Sequence, residues 1–131
     1  MKEYIDGDLV RYTSLYKGPI AEICEVRETS YLIRFMNGNF AKVTSQEIKP
    51  IPLTHEILEK NGWYGATHSK QSDDNTKILY KTFKRKGYPT IKVSQDLKIT
   101  CELSPFIVKL ESVSDLQHLL FGLGLNSEME V

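Results

Sequence analysis

The stretch Tyr31-Leu32-Ile33-Arg34-Phe35-Met36-Asn37-Gly38-Asn39-Phe40-Ala41-Lys42-Val43 contains the clearest hairpin signal in the sequence. In its first part, Tyr31, Ile33 and Phe35 alternate with Leu32, Arg34 and Met36, and this two-residue period is typical of a β-strand. Asn37-Gly38 suits a tight type I′ turn, because both central residues of that turn must accept positive φ. The stretch therefore predicts two antiparallel strands joined at Asn37-Gly38.

Further short runs rich in β-branched and aromatic residues lie on both sides of this hairpin, each ending at a turn signal such as Lys17-Gly18-Pro19. The predicted strands cover residues 9–12, 20–26, 31–36, 39–43 and 48–51. A single helical turn at 44–47 precedes the fifth strand, and this order resembles an SH3-like barrel of the KOW or Tudor kind. We predict that this five-stranded module spans residues 1–51 and ends at the stiff Pro50-Ile51-Pro52.

The rest of the chain, residues 52–131, predicts a small antiparallel sheet with two helices. The sequence predicts about four strands in this part of the chain. It also predicts a short helix at 55–61, a polar loop at 67–76 and a C-terminal helix at 113–123. The four predicted strands cover residues 78–83, 88–93, 97–102 and 106–110. The apolar stripe of the last helix, Val113 to Leu123, is expected to lie across this second sheet. The fold class is thus α+β, and whether the two modules are independent domains stays open.

The composition of the chain argues against some classes of function. The 131 residues hold 17 basic and 17 acidic side chains, which argues against a protein that mainly coats nucleic acid or an acidic membrane. A basic middle nevertheless precedes an acidic end. The sequence shows no signal-peptide or membrane-spanning stretch, so we expect a cytoplasmic protein. Cys24 and Cys101 are far apart and lack a CxxC pattern, so neither a metal nor a cofactor is predicted.

Three segments resemble a family of short uncharacterised proteins of Bacteroides-type bacteria and their phages and prophages. The segments are Pro50-Ile51-Pro52-Leu53-Thr54-His55-Glu56-Ile57-Leu58, the pair Gly62-Trp63, and Asp115-Leu116-Gln117-His118-Leu119-Leu120-Phe121-Gly122-Leu123. They are similar to a PIPLTxEIL start, a Gly-aromatic pair and an LQxLxFxL helix followed by acidic residues. The resemblance implies an accessory gene on a mobile element. It implies no catalytic residue.

Catalysis is not predicted either. His55, His68 and His118 lie in no known catalytic motif, and His118, opposite the apolar stripe, is interpreted as a solvated helix residue. A metal-dependent nuclease assembled from Asp73-Asp74 or from Glu25 and Glu28 is the enzymatic alternative.

Binding surfaces are the remaining candidates. Lys84, Arg85 and Lys86, with Tyr88 beside them, predict a basic hairpin tip that contacts phosphates and stacks a base. Tyr12 and Tyr16 flank a loop where SH3-like barrels place a binding groove. Phe121, displaced from the helix stripe, is a candidate contact to a partner or to a second copy.

We therefore expect a non-catalytic protein-interaction module whose partner is a host or phage protein. Nucleic-acid binding through the basic tip is the first alternative. A small-ligand protein that sequesters a nucleotide signal, with residues 67–76 as a lid, is the second. No membrane contact is expected, and monomer and homodimer both stay open.

Overall fold

The computed structural model describes residues 4–14, 18–71 and 77–131. The described chain is mostly β, with two antiparallel five-stranded sheets and two helices, which is compatible with the α+β class. It divides into two compact units. The first unit comprises residues 1–52 and 112–129, and the second comprises residues 53–111 and 130–131.

The five predicted strands of the first unit are present, but the sheet they form is open. The strands are β1 Leu9–Tyr12, β2 Ile20–Val26, β3 Tyr31–Phe35, β4 Phe40–Val43 and β5 Ile48–Pro50. Their order is β4-β3-β2-β1-β5, and within the described residues β4 and β5 do not pair with each other. One face of this sheet is buried and forms the core of the unit, and it includes Val10 of β1, Ala21 of β2 and Ile33 of β3. An SH3-like barrel is therefore not confirmed.

The turn of the first hairpin differs from the predicted type I′ turn. Gly38 N–H donates to Phe35 O at 2.9 Å, so Met36 and Asn37 are the central residues of the turn. Gly38 has a φ of +88°, whereas Asn37 is not among the residues of positive φ. A turn of this kind followed by one glycine in the left-handed region is a common three-residue hairpin connection. The prediction of a hairpin is confirmed, and its turn type is wrong.

The C-terminal helix, α2 (Val113–Gly122), belongs to the first unit and not to the second sheet. It begins with a capping box in which Ser112 Oγ accepts from Asp115 N and Asp115 Oδ2 accepts from Ser112 N, both at 3.1 Å. Its buried side includes Val113, Leu116, Leu120 and also Gln117. An apolar stripe shows which side of a helix is buried, but it carries no information on which sheet covers that side. The predicted placement of this helix is therefore wrong.

The second unit contains one strand more than the sequence predicts. Its elements are α1 His55–Lys60, β6 Tyr64–Gln71, β7 Lys77–Lys84, β8 Ile91–Ser94, β9 Ile99–Leu103 and β10 Phe106–Lys109, with sheet order β10-β9-β8-β7-β6. β6 includes residues 67–71 of the predicted polar loop, while residues 72–76 lie outside the described residues. β6 is an edge strand and its residues 64–68 are exposed, so it tolerates the polar side chains that suggest a loop.

The core of the second unit is built around Trp63 and Phe83, which are fully buried. Gly65 lies opposite Phe83 in the register, and a Cβ atom at Gly65 would come within 2.7 Å of the Phe83 ring. The glycine therefore leaves the space that the ring fills. Neither described helix is long and apolar enough to cross a bilayer.

Candidate binding surfaces

An apolar groove lies beside the turn between β3 and β4 in the first unit. It has a volume of about 510 Å³, and Met36 and Phe40 in its wall are 69% and 60% exposed. The described residues that line it are Pro19, Ile20, Phe35, Met36, Asn37, Asn39 and Phe40. None of these seven residues is charged. The groove therefore offers apolar surface with amide groups at its rim.

The hairpin itself explains why these side chains are exposed. Met36 lies in the turn, and Phe40 is the first residue of the edge strand β4. Phe40 pairs with Arg34 in the register, so it shares the face of Arg34 and not that of the buried neighbour Ile33. The turn thus holds Met36 outside the core, and the alternation of the strand does the same for Phe40.

Of the two tyrosines predicted to flank a binding groove, Tyr12 is not among the described residues that line this one. Tyr12 is half-buried and makes an edge-to-face contact with Phe35, with the ring centroids 5.5 Å apart. Tyr31 makes a similar contact with Tyr4 at 5.7 Å. Both tyrosines pack against the core, as does Phe35, while Phe35 and Phe40 line the groove. Tyr16 lies outside the described residues.

A second, more polar concavity of about 720 Å³ adjoins this groove, and Phe35 and Met36 line both. Glu22 and Arg34 are directly opposite in the register and form an ion pair at 2.7 Å in its wall. Its remaining lining residues include Gln117 of α2 and residues 127–129 of the C-terminal segment. For the small-ligand alternative, this cleft is a described cavity of suitable volume.

A polar network joins α2 to the start of β1. Asp8 is buried, with 1% of its surface exposed, and its Oδ2 lies 2.6 Å from Nε2 of the half-buried His118. The same oxygen accepts from Ile5 N at 2.9 Å. The interpretation of His118 as a solvated helix residue is wrong, because its side of α2 faces this buried carboxyl. The sequence carried no signal for a pair 110 residues apart.

Burial raises the pKa of Asp8 above its ordinary value of 3.8, and the contacts with Ile5 N and His118 only partly oppose that shift. The folded chain therefore holds the Asp8 proton more tightly than the unfolded chain does. This contribution to the unfolding free energy is fully present below pH 3.8 and is lost as the pH rises through the raised pKa. Asp115 adds to the upward shift, so it acts in the same direction.

We expect the Asp8→Asn variant to show a flatter pH dependence of stability than the parent. An amide oxygen still accepts from Ile5 N and from a neutral His118, but it carries no charge that burial disfavours. Denaturant unfolding at a series of pH values should give the variant equal or greater stability near pH 7. The exposed Asp6→Asn serves as the control and should follow the parent. A loss of stability near pH 7 in Asp8→Asn would show instead that the ionised pair with His118 is stabilising.

The predicted basic tip lies between β7 and β8 in the second unit. Lys84 and Lys86 are exposed, but the half-buried Arg85 guanidinium lies over the rings of Trp63 and Tyr88, 5.1 and 3.9 Å from their centroids. Tyr88 also makes an edge-to-face contact with Trp63 at 5.4 Å. Two of the four residues proposed for the tip are therefore already engaged within the unit. Phe83, interleaved with them in the sequence, lies in the core.

A cluster that the sequence analysis missed lies on the solvent-facing side of the second sheet. The rings of His68 and Tyr80 stack with centroids 5.2 Å apart, and Lys92 Nζ lies 4.6 Å from the centroid of Tyr80. His68 Nε2 is also 2.8 Å from Thr82 Oγ1. Residues 67–71 were interpreted as a loop, so the sequence did not place His68 opposite Tyr80. Residues 64–68 show no apolar alternation, so the sequence offered no signal for this strand.

Phe121 is exposed on α2, and it lies away from the buried side of that helix, as expected from its position off the stripe. Asp73 and Asp74 lie outside the described residues, and Glu25 pairs with Arg27 at 3.3 Å. In the described part of the chain, no three His, Cys, Asp or Glu side chains come together as a metal site.

Comparisons of the chain with protein-family models, with curated proteins and with solved structures found no match. The fold and its surfaces therefore define a class only, a mostly β chain of two compact units with an apolar groove on one and an aromatic, basic sheet face on the other.

Proposed function

We propose that this chain is a non-catalytic protein-interaction module, and that the groove beside the β3–β4 turn binds an extended, apolar segment of a partner protein. The observation that supports this proposal best is the exposure of Met36 and Phe40 beside an uncharged groove of about 510 Å³. Large apolar side chains grouped at a concave surface are typical of interaction sites.

The partner is expected to be extended because of the strand next to the groove. β4 is an edge strand, so one side of its backbone is not paired within the described sheet. An extended peptide can add to such an edge through main-chain hydrogen bonds, while a pocket beside the edge selects its side chains. The uncharged lining favours an apolar side chain in that pocket, since burying a charge there would leave it without an opposite charge.

The biological setting belongs to the same proposal. A sheet of five strands in this order agrees with a relation of the first unit to SH3-like modules, which commonly bind extended peptides. The resemblance of residues 50–131 to phage-associated proteins points to an accessory protein of a mobile element. The chain would act in the cytoplasm by occupying a host or phage protein.

The groove is tested with Phe40→Ser and with a matched control. Peptides selected from a random 12-residue library on the intact protein should share apolar residues, and their affinities can be measured by calorimetry. We expect Phe40→Ser to weaken binding at least about tenfold, because a buried aromatic contact is worth more than about 1.4 kcal/mol. Phe106→Ser removes an equally exposed aromatic side chain from the second unit and should leave the affinity unchanged.

Two results would contradict this proposal. One is a set of selected peptides that bind Phe40→Ser as well as they bind the parent. The other is a concentration-dependent dimer, seen by light scattering, that Phe40→Ser converts to monomer. In that case a second copy of the chain covers the groove.

A further inference from the structure

The outer face of the second sheet is the side opposite the buried residues Phe83, Ile91 and Cys101. The strand register places a set of twelve described residues on it: Tyr64, Ala66 and His68 of β6, Tyr80, Thr82 and Lys84 of β7, Lys92 and Ser94 of β8, Thr100 and Glu102 of β9, and Ile107 and Lys109 of β10. None of these twelve is buried, whereas Phe83, Ile91 and Cys101 are fully buried. The outer face is therefore open to solvent in this unit.

Aromatic rings and cations lie close together on this outer face. The Tyr80 ring stands between the stacked His68 ring and the Lys92 ammonium group. Tyr64, on the same edge strand as His68, is 80% exposed. An exposed ring next to a flexible cation presents a π-face that an unpaired base can stack on, while the lysine moves from the ring to the adjacent phosphate.

The charge of the outer face favours a polyanion. The twelve described residues of the outer face include three lysines, Lys84, Lys92 and Lys109, and one acidic residue, Glu102. The chain as a whole is neutral, so this excess of positive charge is local to the face. Tyr64 and Ile107 are the large side chains at the edges of the outer face, and they lie on opposite edge strands, β6 and β10. They therefore do not form the continuous apolar patch that a protein partner would bury.

From these observations we propose that the outer face of the second sheet binds single-stranded nucleic acid. Bases stack at Tyr80, His68 and Tyr64, and the three lysines neutralise phosphates. Five strands at about 4.8 Å spacing give a platform about 19 Å wide, which accommodates a few nucleotides. A duplex does not fit this chemistry, since its bases are already stacked on one another. The site belongs to the second unit, whereas the groove belongs to the first, and it does not depend on the function proposed for the groove.

This site also differs from the basic tip that the sequence suggested. At the tip, Arg85 and Tyr88 are engaged with each other and with Trp63. On the outer face, Tyr80 and Lys92 also contact each other, but Tyr64 and His68 are exposed. The two locations share Lys84, but Lys92 belongs to the face alone and Lys86 to the tip alone.

The test measures binding of a fluorescein-labelled 15-mer of deoxythymidine and of the corresponding uridine RNA by fluorescence anisotropy. We expect saturable binding that weakens with salt, with a logarithmic slope of about −2 for three neutralised phosphates. Tyr80→Ala and Lys92→Ser should each weaken binding about five- to tenfold. Lys81→Ser is on the same strand as Tyr80 but on the opposite face, and it should change the affinity less than about twofold.

Three results would overturn this proposal. The first is no binding of either oligonucleotide at 50 mM salt. The second is loss of binding in Lys86→Ser with full binding in Lys92→Ser, which would move the site to the tip. The third is an unlabelled duplex of the same length that competes as well as the single strand does. Circular dichroism of each variant separates loss of binding from loss of fold, and Lys92→Ser removes no core contact.

Discussion

Replacing Trp63 by alanine is expected to lower the free energy of unfolding by about 3–5 kcal/mol, the cost of emptying a buried site of this size. The indole is fully buried, and its Nε1–H donates to Pro89 O at 3.3 Å. The Arg85 guanidinium lies over the indole ring, and the Tyr88 ring makes an edge-to-face contact with it. The substitution therefore removes a large apolar surface, one hydrogen bond and the support of the β7–β8 turn together.

Trp63 is the single tryptophan of the chain, so its variant is followed by far-ultraviolet circular dichroism in urea rather than by fluorescence. Tyr64→Ala is the matched control. It changes the next residue, which is 80% exposed on the other side of the strand, and should alter stability by less than about 0.5 kcal/mol. Equal effects of the two substitutions would contradict the placement of Trp63 in the core.

The sequence predicted the position of most elements because their signals are local. The strand at 20–26 has the predicted bounds, and both helices begin at the predicted residues, His55 and Val113. Alternation of side chains, turn residues and caps each act within a few residues, so a sequence shows them directly. Strand β6 is the exception, because an exposed edge strand needs no apolar alternation.

Contacts between elements that are distant in the sequence were not predicted. The stripe of α2 gives the same periodicity whether it lies on the first sheet or on the second. The contact of His118 with Asp8 and the stack of His68 on Tyr80 both require a register that the sequence does not state.

Gln117 offers the second large effect, since its buried amide group holds three backbone groups of the first unit. Oε1 accepts from Leu9 N at 2.9 Å, and Nε2 donates to Gly7 O at 2.9 Å and to Ser127 O at 3.2 Å. We expect Gln117→Ala to lower the free energy of unfolding by about 3 kcal/mol, because it leaves the Leu9 N–H and two carbonyl groups without their partner. Thermal and urea unfolding of the variant measure this loss, and the exposed Gln46→Ala should leave stability unchanged.

Gln117→Glu separates the hydrogen bonds of Gln117 from its packing, since the side chain keeps its size. A carboxylate still accepts from Leu9 N, but it turns an acceptor towards Gly7 O and Ser127 O, where the amide donated. The variant should therefore be clearly less stable than the parent at pH 7 and should recover part of the loss at acid pH, where the carboxyl group carries a proton and one O–H donor returns. Full stability of Gln117→Glu at pH 7 would contradict this role.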